Sequence, residues 1–212
     1  MLFRSPADTW RWWLAANAPE SADVDFTVER FVEGVNKDLA DTFGNLVNRC
    51  LAFAAARFDA TVPEARTAGA AEDKLAVELG TLLRRLREHH EALALRKAAD
   101  EVRSIWRLAN AYLADAAPWT VIKDDPERAA AIVRTGINLV RVAALAGWSF
   151  IPLAAADVLQ SLGEDAELVP WVEDGKEALS AIPAGRRFRV PPLLFPKVTA
   201  GELATAACRP PA

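Results

Sequence analysis

The chain is poor in the residues that most often carry chemistry. Histidine occurs twice and cysteine twice in 212 residues. The histidines, His89 and His90, are neighbours. Successive helix positions point about 100° apart, so the pair makes a poor metal site and reads as two surface residues at a helix end. Cys50 and Cys208 are too far apart in sequence for a disulfide framework or a metal-ligand spacing, which points to a reducing cytoplasm. The ten glycines are scattered. They form no phosphate-binding GxxxxGKS/T or GxGxxG loop and no GxSxG nucleophile elbow. Nothing here supports a self-contained active site. Met1 to Pro6 hold no apolar stretch with a small-residue cleavage site, so no secretory leader is expected. The longest apolar stretch, 137–150, is broken by Asn138, Arg141 and Ser149. It falls short of the ~18 uninterrupted apolar residues of a membrane span, so no membrane partner is expected.

What is present suits a soluble, helical protein. Apolar residues make up 52% and charged residues 25%. Alanine and leucine dominate, which favours helix over sheet. The net charge of −4 does not announce a nucleic-acid binder, but its distribution is uneven. Residues 1–42 carry eight acids and four bases, and the remainder carries 21 of each. Bases cluster at Arg84, Arg85, Arg87, Arg96, Lys97, Arg103 and Arg107, and again at Arg186, Arg187 and Arg189. A solvated helix face and a phosphate-contacting face both have this composition. Composition does not choose between them.

Periodicity predicts an antiparallel helix bundle. A first helix covers 7–17, with Ser5 or Asp8 as N-cap and Pro19 as its stop. An acidic loop, 20–25, follows. Thr27 caps a second helix over 28–58, with a break or close contact expected at Gly34 and Gly44. Residues 67–71 read as loop. A third helix over 72–90 turns Leu75, Leu79, Leu82, Leu83 and Leu86 inward. A fourth over 92–116 does so with Leu95, Ala98, Val102, Ile105, Trp106, Ala109 and Leu113, and Pro118 stops it. Asp125-Pro126-Glu127 is a strong helix start for a fifth. A sixth, 153–162, ends at Gly163. Trp106 and Trp148 read as core; Trp10, Trp12 and Trp13 read as packing the first helix or facing a neighbouring domain. From residue 164 the prolines 170, 183, 191, 192 and 196 forbid long helices. That stretch reads as an extended tail with apolar anchors Phe188, Val190, Leu193, Leu194 and Phe195. Anchors exposed to water are costly, so the tail is expected to pack back on the bundle. The division is thus 1–26 as a linker remnant, 27–163 as the bundle and 164–212 as the tail.

Several stretches resemble methionyl-tRNA synthetases of the bacterial type. The first is Arg11-Trp12-Trp13-Leu14 with Asn17-Ala18-Pro19-Glu20, followed by Asp23, Asp25, Phe26 and Thr27. It resembles the family segment just beyond the KMSKS catalytic loop. The second joins Asn36, Asp38 and Leu39 to Gly44-Asn45-Leu46-Val47-Asn48-Arg49. The third joins Asn110 and Tyr112 to Ala117-Pro118-Trp119. Asn138, Arg141, Phe150-Ile151-Pro152 and Leu194-Phe195-Pro196-Lys197 continue it, so the likeness runs from about residue 7 to residue 198. Each motif alone is weak; their order and spacing together are specific.

The resemblance implies an all-α class I synthetase anticodon-binding bundle that grips the CAU anticodon of methionine tRNA. The positions that match its anticodon contacts are Asn45, Arg49 and Trp119. The residues suit that task. Asn45 and Arg49 are four apart and share a helix face. Asn offers a donor and an acceptor to a base edge, and Arg a planar fork. Trp119 follows Pro118 and can project as a stacking platform for an unstacked base. Read without the resemblance, Asn45 and Arg49 are an ordinary polar pair on an exposed helix face, and Trp119 is a core or capping aromatic. In the family the nucleotide-binding fold, the HIGH motif, any zinc knuckle and the KMSKS loop lie upstream. The resemblance therefore implies that this chain alone does not charge tRNA and holds no cofactor. ATP and zinc would belong to a catalytic domain that is its partner. Two other readings compete: a stand-alone tRNA- or RNA-binding paralogue, and a helical protein-interaction module without RNA. The last requires that Asn45, Arg49 and Trp119 do not cluster together at the surface.

Overall fold

The computed structural model describes residues 6–20, 23–65, 69–165 and 167–201. Ser5, Cys208 and part of the acidic loop lie outside them. The architecture is all-α, and no strand longer than a single bridge, Thr61 to Arg187, occurs among the described residues.

The centre of the bundle is α7, Pro126–Gly147. Asp125 caps it, accepting the Arg128 backbone N–H at 2.9 Å, and Pro126 occupies the first helical position, as the sequence predicts. By length and composition α7 could cross a membrane, but 89% of its apolar stretch is buried inside the fold, as in a core helix. Its small residues let neighbours approach closely. A Cβ on Gly136 would stand 2.9 Å from Leu113 and 3.0 Å from the Cys50 sulfur. Burial also pushes the Cys50 thiol up to about 12, which leaves it inert.

Around α7 pack α3 (Asn45–Arg57), α5 (Leu95–Ala116), the short α6 (Pro118–Val121) and α8 (Pro152–Ser161). The helix α4, Ala70–Glu91, lies against α5 and against the single turn α9, Gly175–Ala178. There Gly175 is obligatory, because a Cβ would stand 1.9 Å from the Ala76 carbonyl oxygen. The first helix, α1 (Pro6–Ala16), rests on α5 and on α2 (Val28–Val35). Thr27 caps α2, accepting from the Arg30 N–H at 3.2 Å.

The structure corrects several expectations. The stretch read as one α-helix is helical throughout, but Asn36–Gly44 is π-helical. The wider turn brings Asp38, Leu39 and Phe43 into the interior together. Asp38 accepts from Trp12 Nε1 at 3.1 Å and from Arg103 Nε at 2.7 Å. Those bonds to α1 and α5 favour the extra residue per turn. Helix α4 starts at Ala70, inside the stretch expected to be loop, because Glu72 reaches back to the Gly69 N–H at 2.6 Å. Asp8 does not cap its own helix. It is buried, and its Oδ2 accepts the Ala154 N–H at 2.8 Å, in the first turn of α8. Leu95 is exposed, since the inward stripe of α5 begins only at Ala98. His90 is no surface residue: it is half-buried, rests against the Phe150 ring and holds the Leu86 carbonyl oxygen through Nδ1 at 2.9 Å. Trp148 is half-buried rather than core.

Beyond α8 the chain is mostly irregular. Phe188, Leu194, Phe195 and Val198 are buried, while Val190 and Leu193 are exposed. A single layer of chain on a surface has only one side to bury. The polar residues that interrupt α7 hold this segment in place. Asn138 Oδ1 accepts the Ile182 N–H at 2.7 Å, and Arg141 Nε donates to Glu164 at 2.7 Å. Asn36 closes a reciprocal pair with the Val198 backbone, both bonds at 2.8 Å.

Candidate nucleic-acid interface

Trp119 reaches the surface because the chain turns sharply there. Helix α5 ends at Ala116, Ala117 takes the left-handed conformation at φ 39°, and Pro118 starts α6. Pro118 is buried and shapes the turn, whereas Trp119 beside it is half-buried. The indole packs against the edge of Phe53 on α3, with ring centroids 6.3 Å apart and planes at 89°. The Arg49 guanidinium carbon lies 4.7 Å from the centre of the same indole. Such a contact is worth about 0.5–1 kcal/mol at an exposed site. Two residues seventy apart in sequence are thus brought together.

Asn45 opens α3, one turn before Arg49 and on the same face, and it is half-buried. Its side-chain amide makes no hydrogen bond among the described residues. The Trp119 indole N–H likewise has no acceptor among them. The corner therefore offers a free amide, an exposed guanidinium and a part-open aromatic ring. All three can engage an unpaired base: the ring by stacking, the others through its edge.

Sequence reading missed Phe53, although it continues the four-residue spacing of Asn45 and Arg49. It also missed that Tyr112 and Arg128 meet on Glu72, behind the turn. Several clustered bases are occupied: Arg103 by Asp38 and Asp100, Arg87 by Glu91 and Glu173, Arg187 by Asp59. Among the described residues no group of three or more His, Cys, Asp or Glu is arranged to hold a metal.

The chain is similar to known proteins along most of its length. Residues 1–51 match the family model of class I tRNA synthetases (M). Residues 62–209 match the model of the anticodon binding domain of methionyl tRNA ligase. Methionine–tRNA ligase of Ruegeria sp. (strain TM1040) is 48% identical over 194 residues, which are 92% of this chain and 34% of that protein. The same enzyme of Streptomyces avermitilis is 44% identical over 199 residues, 93% of this chain and 35% of the relative. The crystal structure of the apo form of Mycobacterium tuberculosis methionyl-tRNA synthetase superposes with a TM-score of 0.80 at 26% identity, over 92% of this chain and 40% of that one. The all-α fold and the matched family models define an anticodon-binding part of a class I tRNA synthetase. Within that class, the chain belongs to the methionyl-tRNA ligase family, and its residues 62–209 correspond to the anticodon-binding domain. It spans about a third of the length of the curated relatives it matches.

Proposed function

We propose that this chain recognises the CAU anticodon of methionine tRNA, as the anticodon-binding part of a methionyl-tRNA ligase. The single observation that carries the reading is the Arg49–Trp119 contact at the surface, 4.7 Å from guanidinium carbon to ring centre, with Asn45 one turn away. In this reading Trp119 stacks on an anticodon base, and Arg49 and Asn45 read base edges. The protein-interaction reading needed these residues apart, and Arg49 and Trp119 are in contact.

Methionine activation, with its ATP and any zinc, falls to the catalytic part of the ligase, which is the partner of this bundle. The working compartment is the cytoplasm, in keeping with the absence of a disulfide framework in the sequence. The test is the affinity of this chain for a CAU stem-loop and for the same stem-loop with another anticodon, each at low and moderate salt. Base readout predicts a CAU preference that survives added salt, since only phosphate contacts release counterions. Equal binding that fades with salt would refute the reading.

A further inference from the structure

Glu72 lies in the first turn of α4 and is 2% exposed. Its Oε2 accepts from the Gly69 N–H at 2.6 Å and from Arg128 Nη1 at 2.9 Å. Its Oε1 accepts from Arg128 Nη2 at 2.7 Å and from the Tyr112 hydroxyl at 2.5 Å. A carboxylate has about four lone-pair positions, and here each has a donor. Burial by itself would raise the Glu72 pKa, but hydrogen bonds from Arg128, Tyr112 and Gly69 outweigh it and hold the group below its usual range. The carboxylate stays charged because it is fully and bidentately paired.

The position of the partners gives this knot a second consequence. Tyr112 sits near the end of α5, and Arg128 in the first turn of α7. Trp119 lies on the connection between those two helices. That connection has little regular structure of its own: α6 has four residues, and Ala117 before it is left-handed at φ 39°. A residue with a Cβ adopts such a conformation only where its surroundings impose it. One buried carboxylate on a third helix thus fastens both stems of the turn that presents the indole.

We infer that Glu72 is a positioning residue for Trp119: through Tyr112 and Arg128 it fixes the turn that presents the indole, without itself touching RNA. The inference rests on the anticodon reading above. It is tested by a double-mutant cycle with a CAU stem-loop and this chain, using Glu72→Gln, Trp119→Ala and the pair. Glu72→Gln should weaken binding by about 3- to 10-fold, a part of the roughly 5- to 150-fold that loss of a stacking aromatic costs. In the Trp119→Ala background the same change should move the affinity by less than about twofold, because coupled residues are not additive. Where Glu72→Gln fails to fold, Tyr112→Phe takes its place in the cycle, since it removes the hydroxyl that donates to Glu72 and keeps the ring. A folded variant that binds as the wild type does, or that loses the same factor in both backgrounds, overturns the inference. If Trp119→Ala alone leaves CAU binding unchanged, the anticodon reading itself fails, and this inference with it.

Discussion

Trp106 and Trp119 lie on neighbouring stretches of the chain and in opposite surroundings. Trp106 is fully buried. Its ring is held between Trp12, at 4.7 Å, and Phe43, at 4.9 Å, and its N–H donates to the Ala143 carbonyl at 3.0 Å. Every polar and apolar need of that indole is met inside the protein. Trp119 is half-buried, with Phe53 at its edge, Arg49 against its ring and an N–H without an acceptor among the described residues. A tryptophan satisfied on all sides stabilises a fold. One left partly open beside a free amide and a guanidinium is available to a ligand. The two indoles thus differ in how many of their contacts are met inside the protein.

The largest effect expected is on the buried side of this comparison. Trp106→Ala should lose about 3–5 kcal/mol of stability, read as a shift of the urea midpoint. Asp38→Ala should follow at about 2–3 kcal/mol, because it strands the Trp12 N–H and leaves Arg103 with only Asp100. On the open side, Trp119→Ala should weaken CAU stem-loop binding by roughly 1–3 kcal/mol. It should lower stability by only about 0.5–1 kcal/mol, the scale of the lost Arg49 contact. A large loss of stability there would erase the contrast with Trp106.

A smaller effect is set by pH. The Glu72 pKa is lowered in the folded state, so its contribution is fully present above the unfolded value of about 4.3 and is lost progressively as pH falls from there through the lower folded value. Urea titrations from neutral pH to well below pH 4 should show an acid loss that shrinks in Tyr112→Phe, where the carboxylate has one donor fewer. An acid limb identical in the two proteins would contradict the assignment.

Much of this was legible in the sequence, and the exceptions have physical causes. Asp125-Pro126 and Thr27 announce helix starts through local chemistry, and both caps are present. Local chemistry does not reveal a π-helical register that is held by bonds from α1 and α5 to Asp38. Nor does it reveal that Asp8 caps a helix 146 residues away. The pairing of Arg49 with Trp119 is likewise tertiary. Spacing places Asn45 and Arg49 on one face, but only the resemblance joined Trp119 to them. Phe53 could have been added from the four-residue spacing alone.

The most direct test is the CAU preference itself, measured as the ratio of affinities for a CAU stem-loop and one with a changed anticodon. Wild type and Trp119→Ala would be compared at moderate salt. The account predicts a clear preference in the wild type that collapses toward one in the variant, with both proteins folded. A preference that survives intact in folded Trp119→Ala would contradict it.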